Sequence, residues 1–183
     1  ECLPDGSARV CVDGAWSGLG TCYLGCDPAG ESCYHPSNVP PGLMPELENP
    51  GLGAPALAGE PSPITINSDT GGITSADGGF IRNEGTGLVD GIYFDVVPQA
   101  DDPAVRAGFF IMESLDLPDG VTLLGVGSNP IVLLVREGVH VAGTIDVGAY
   151  QDPASTVASQ GHHLPGPGGF SGGGGGEPGF GPC

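Results

Sequence analysis

Between residues 64 and 150 the apolar positions fall in short runs separated by turn-forming residues. The runs are Ile64–Asn67, Phe80–Asn83, Gly91–Val97, Gly108–Ser114, Val121–Val126, Ile131–Arg136, Val139–Val141 and Thr144–Val147. They are rich in β-branched and aromatic residues, which suit a pleated and half-buried surface. Asp69–Gly72, Asp77–Gly79, Pro118–Gly120, Ser128–Pro130 and Glu137–Gly138 divide them with turn chemistry. Helical periodicity is missing except at Asp102–Arg106, where a capping residue followed by proline predicts a single turn. The pattern predicts an all-β body. Val121–Val126 and Ile131–Val135 are apolar at successive positions, so both are read as inner strands covered on two faces. A short-strand β-sandwich and a right-handed β-solenoid both provide such cover.

The flanking segments have other patterns. Residues 1–38 hold only two small apolar patches, Ala8–Val12 and Leu19–Leu24, together with Cys2, Cys11, Cys22, Cys26 and Cys33. A patch that small needs covalent staples, so a disulfide-rich head is predicted. Within it, Val10–Val12 followed by Asp13-Gly14 reads as a strand leading into a tight turn. Residues 39–63 carry Pro40, Pro41, Pro45, Pro50, Pro55, Pro61 and Pro63, a spacing that predicts an extended linker without helix or inner strand. Residues 151–183 are dominated by glycine and proline, with the run Gly172–Gly176 near the end. Such a composition cannot build a core, and no strict Gly-x-y period makes it collagen.

Charge narrows the partners. The 183 residues carry 22 acidic side chains against four arginines and no lysine, a formal net charge of −18. Nucleic-acid binding requires cations to displace phosphate counterions, and this chain would repel a polyanion. An anionic membrane surface is disfavoured on the same ground, and no apolar run is long enough to span a bilayer. Acidity favours solubility, polyvalent cations or a cationic partner. Six cysteines without zinc-finger spacing, behind an amino terminus at Glu1 rather than Met, point to an exported protein in an oxidising compartment.

The sixth cysteine, Cys183, stands at the opposite end of the chain from the other five. It either completes the head within the chain or bonds a second chain, and the intrachain bridge is favoured because five head cysteines need a sixth partner. Six cysteines allow fifteen pairings, so the connectivity stays open.

Catalytic and metal motifs are sparse. Asn67-x-Asp69-x-Gly71 opens like a calcium loop, but Gly78 stands where a bidentate glutamate is needed. Asp69, Asp77, Asp101 and Asp102 remain candidate Ca²⁺ ligands at turns, the alternative being that they cap those turns. His35, His140, His162 and His163 show no zinc-ligand spacing. No Gly-x-Ser-x-Gly elbow is present, and without lysine there is no Schiff-base chemistry. No catalytic or cofactor-binding residue is assigned.

The run Ile131–Val147, with its Val-His-Val-Ala-Gly-Thr-Ile-Asp core, resembles a rung of the parallel β-helices of glycine-rich secreted bacterial surface proteins of the filamentous-haemagglutinin type. Ser114–Leu123 is a weaker companion rung, and the cysteine head looks like the small modules that decorate secreted proteins. The resemblance implies a non-catalytic, extracellular structural or adhesive protein, a subunit or segment of a surface assembly or filament that associates with itself or with other surface components. The other reading is a carbohydrate-binding or carbohydrate-cleaving β-helix domain, with Tyr93, Phe94, Phe109, Phe110 and Tyr150 as candidate aromatic platforms.

Overall fold

In the computed structural model the apolar runs of the body become strands in two mixed sheets, neither of them closed. The structure describes residues 3, 7–12, 15–21, 39–98, 103, 105–148 and 167, the segments 7–12 and 15–21 in backbone only. The chain divides into two compact units, Glu1–Pro50 and Gly51–Cys183.

In the first unit, β1 (Ser7–Val12) pairs antiparallel with β2 (Ala15–Thr21), placing Cys11 opposite Trp16. A 3-10 turn at Pro41–Leu43 then runs into one helical turn, α1 (Met44–Leu47). This corrects the expectation that prolines keep residues 39–63 free of helix. Pro45 falls in the first turn of α1, where a backbone N–H has no partner within the helix, so its absence is harmless. Val39, Leu43, Met44 and Leu47 are buried, so the segment is folded structure rather than a solvated spacer. Of the single turn predicted at 102–106, residues 102 and 104 lie outside the described residues, Pro103 is in a turn and Arg106 is already in a strand.

The second unit carries the two sheets. One contains β3 (Ile64–Asn67), β4 (Ile73–Thr74), β5 (Phe80–Arg82), β9 (Thr122–Val126) and β11 (Thr144–Asp146), in the order β11-β9-β3-β4-β5. The other contains β6 (Gly87–Val89), β7 (Ile92–Pro98), β8 (Arg106–Leu117) and β10 (Ile131–Val141), in the order β10-β8-β7-β6. Alternation decides which side chains face inward. Ile64 and Ile66 of β3, Leu123 of β9, and Phe110 and Met112 of β8 fill one apolar core, closed by Leu57 and Ile73.

The two halves of the body differ in strand direction. β3 with β4, β4 with β5, β6 with β7 and β7 with β8 are antiparallel, whereas β8 with β10, β3 with β9 and β9 with β11 are parallel. The chain passes from β8 in one sheet to β9 in the other, then repeats the passage one level further on with β10 and β11. Ile131 stands opposite Gly108 and Thr144 opposite Thr122, so each residue pairs with one a whole arch earlier in the chain. Two β-arches are therefore stacked strand on strand.

The connections stack as well. Leu117 O accepts from the amides of Ala142 and Gly143, and Val121 O from that of Thr144, so the upper arch rests on the lower. Contact is so close that a methyl on Gly143 would meet the carbonyl oxygens of Pro118 and Val121. Only a residue without a side chain fits there.

β10 corrects another expectation. The runs 131–136 and 139–141 form one strand, with a register shift between Val135 and Gly138, and that strand is an edge of its sheet rather than an inner strand. All five residues of its apolar run are only partly buried, and Ile131, Leu133 and Val135 among them pack on the core.

Replacing Gly143 by Ala is expected to lower stability by about 1–3 kcal/mol, the range for overpacking against atoms that cannot yield. Urea unfolding should show a lower midpoint with little change in slope.

Candidate interaction surface

The base of the stack, where strands are antiparallel, is tied by a buried arginine. Arg82 sits on β5 with its side chain fully enclosed. Its Nε donates to Ile92 O at 2.9 Å, Nη1 to Gly71 O at 2.7 Å and Asn83 O at 2.9 Å, and Nη2 to Gly85 O and Gly87 O at 2.9 Å each. All five N–H groups of the fork are used. The guanidinium carbon also lies 5.5 Å from the centre of the Phe94 ring, within range of a cation–π attraction. Burial pulls the guanidinium below its ordinary pKa, and the charge of Asp90 partly restores it. Ile92 belongs to β7 and Gly87 to β6, so one side chain on the first sheet holds the second. Gly71 adopts φ 77°, and a side chain there would run into Phe94 and Arg82.

The carboxylates singled out by sequence serve turns. Asp77 accepts from Ser75 Oγ at 2.6 Å and from the Gly79 amide at 3.1 Å. Asp69 accepts from the Ser128 amide and hydroxyl and from Asn129 Nδ2, at 2.7–2.9 Å. It thereby clips the loop after β3 to the loop between β9 and β10. Asp101 and Asp102 lie outside the described residues. Among the described residues no group of three or more His, Cys, Asp or Glu side chains could hold a metal ion.

Asp90, missed by the sequence reading, accepts from the backbone and side-chain amides of Asn83 at 2.9 and 2.8 Å. The Ser75 hydroxyl and then the Gly79 amide hold the Asp77 carboxyl below its ordinary 3.8. The two Asn83 donors do the same for Asp90.

Of the candidate aromatic platforms, Phe94, Phe109 and Phe110 are buried, and Phe94 and Phe110 stack at 4.6 Å between centroids. Tyr93 is half-buried, and Tyr150 lies outside the described residues. Cys11 is described in backbone only, and the other five cysteines, with the disulfides expected of them, lie outside the described residues. His140 sits on the outer face of β10, its Nδ1 2.8 Å from Asp116 on β8, with both side chains exposed. Arg136 and Glu113 form another cross-strand pair between the same strands, at 2.9 Å beside the β10 bulge.

The surface that stands out is the far end of the stack. Register places Val139 over Leu115, Val141 over Leu117 and Ile145 over Leu123. Those three leucines are core residues, so the side chains above them face the interior too, and Val147, two residues beyond Ile145, continues the same face. Yet Val139 is 62 % exposed, Val141 43 %, Ile145 43 % and Val147 52 %. Among the described residues these are interior-facing positions with no strand above them, on β10 and β11, which are both edges of their sheets. Edge strands also present unpaired backbone N–H and C=O groups. The end can therefore accept a further strand through backbone hydrogen bonds and apolar contact together.

Neither a protein-family model, nor a curated protein sequence, nor a solved structure matches the chain.

Arg82→Lys is expected to destabilise the second unit by on the order of 3 kcal/mol or more, because one ammonium cannot reach five carbonyls and each orphaned group costs about 1–3 kcal/mol. Thermal unfolding of the full chain checks this. The depressed carboxyls give a signed pH dependence. Their contribution is complete above the ordinary value of 3.8 and is lost as pH falls through the lower folded values. The double variant Asp77→Asn/Asp90→Asn should flatten the decline in melting temperature below about pH 4.

Proposed function

We propose that this protein is a non-catalytic extracellular structural or adhesive component, a subunit or segment of a surface assembly, and that its body is a short β-solenoid. The observation that carries the reading is the open end of the stack, where, among the described residues, interior-facing valines and an isoleucine stand exposed on two sheet edges. Two stacked arches are fewer than the three or more units that usually make a solenoid stable. An antiparallel base held by Arg82 supplies the cover that a preceding coil would give. Parallel strands of one sheet joined through a strand of the other suit the right-handed course that such crossovers take.

Secretion and disulfide linkage rest on the cysteine-rich segment from Cys2 to Cys33, and the acidic surface, at −18, suits a soluble component that coheres at defined places. The likeness of Ile131–Val147 to a rung of bacterial surface β-helices supports the same reading. Among the described residues no helix is long and apolar enough to cross a membrane. Of the candidate platforms, Phe94 and Phe110 fill the core and Phe109 is buried, which lends no support to a sugar platform built on them.

The mechanism is strand addition. An incoming strand pairs with β10 or β11 through main-chain hydrogen bonds and lays its apolar side chains over Val139, Val141 and Ile145. Val139→Lys removes one such contact and places a charge where it would be buried. A fully buried valine contributes about 1.5 kcal/mol, so association should weaken by roughly tenfold or more. The folded monomer should be little affected, because the position is already exposed. Sedimentation velocity over a concentration series, with electron microscopy of the same samples, reads the outcome. A full chain that stays monomeric at all concentrations, with or without the substitution, would sink the assembly reading.

A further inference from the structure

Resting on the strand-addition reading, we infer that the edge formed by β10 and β11 favours a basic partner: an extended segment of another protein in which lysine or arginine alternates with aliphatic residues.

Register sets the apolar half of the fit. A strand added beside β10 meets Val139 and Val141 on the inward side, and one added beside β11 meets Ile145. Successive side chains of a strand point to opposite faces, so the remaining side chains of the partner meet the outward face. There β11 carries Asp146, between Ile145 and Val147. β10 carries His140, 2.8 Å from Asp116 of β8, and Glu137 at the bulge. Asp116, Glu137, His140 and Asp146 are all exposed. Between Glu137 and Val139 stands Gly138, and a methyl built on it meets no atom within 4 Å. A long side chain from a neighbouring strand therefore has room to lie across the edge beside these carboxylates.

A second copy of the chain is a poor electrostatic match for this face. The chain has no lysine and four arginines. Arg82 is enclosed among its five carbonyls, Arg136 is paired with Glu113, and Arg106, at the opposite end of β8, donates to Val96 O at 3.0 Å. Arg9 stands in a head segment that also carries Glu1, Asp5, Asp13, Asp27 and Glu31. Residues 149–183 contribute Asp152 and Glu177 and neither lysine nor arginine. The complementary charge must come from another protein. Pairing two copies edge to edge sets like charges together, which is destabilising across a strand pair, whereas opposite charges there stabilise. Complementary charge also steers the encounter and suppresses wrong partners. Salt consequently acts with opposite signs: it screens the attraction of a basic strand and the repulsion between copies.

The test uses the full chain and the labelled peptide Lys-Val-Lys-Val-Lys-Val-Lys, read by fluorescence anisotropy. Two comparison peptides carry the same residues in blocks, Lys-Lys-Lys-Lys-Val-Val-Val, or glutamate in place of lysine. At about 20 mM salt the alternating basic peptide should bind at least about tenfold tighter than either, and the advantage should shrink at about 300 mM. The double variant Glu137→Gln/Asp146→Asn leaves most of the net charge of −18 in place. It should weaken peptide binding by about tenfold and strengthen self-association in sedimentation velocity, two readouts moving in opposite directions. Equal binding of the block peptide means charge attraction without strand pairing and overturns the inference. Parental binding by the double variant overturns it too, because the edge is then not the seat. A chain that self-associates but ignores the alternating peptide keeps the assembly reading and loses the basic partner. A chain that binds the peptide yet stays monomeric at about 300 mM salt, where repulsion between copies is screened, keeps the basic partner and loses self-assembly.

Discussion

Taking a guanidinium out of water is tolerable only when its whole hydrogen-bonding fork finds acceptors, and Arg82 finds five backbone carbonyls. The acceptors come from the β3–β4 turn, the β5–β6 connection, β6 and β7. Segments of both sheets are thereby drawn to one point. The glycines around it serve this geometry, since Gly71, Gly85 and Gly87 all adopt positive φ and their carbonyls meet the fork. The two sheets diverge from that knot with an apolar core between them.

Above the knot the architecture changes from hairpins to arches. A hairpin pairs neighbours in sequence, whereas here each strand of an arch pairs with a strand one full coil away. The arches are kept in step by the core column, in which Ile64, Leu123 and Ile145 succeed one another across three parallel strands. Exposure rises along that column from a buried Ile64 to a half-open Ile145. Among its described residues the second unit is therefore closed at the knot and open at the arches.

Much of this was legible in the residues, for reasons that can be named. β-branched runs between turn residues marked β3, β5, β7, β8, β9, β10 and β11, because that pattern is what a half-buried strand requires. β4 (Ile73–Thr74) and β6 (Gly87–Val89) escaped because neither has more than two β-favouring residues in a row. Arg82 escaped because it inverts the usual rule: on β5 the arginine is buried and Phe80 is exposed. The signal for it was a lone arginine among closely spaced glycines. The coil repeat was visible once and then faintly, since the bulge after Val135 and the shorter upper arch change the spacing from one coil to the next. The open end itself depends on register, which a single sequence does not state.

The fixed base has a consequence for the order in which the chain becomes structured. β3 through β7 close on themselves with short connections, and Arg82 needs no residue beyond Ile92 to complete its bonds. β8 can then zip against a finished β7, β9 against β3, and the upper arch against the lower, each arrival finding a formed edge and leaving another. From β8 onward, every described strand of the second unit pairs with one that comes earlier in the chain. Each of these strands therefore finds its template in residues that precede it in the chain, and none waits for a partner from further on.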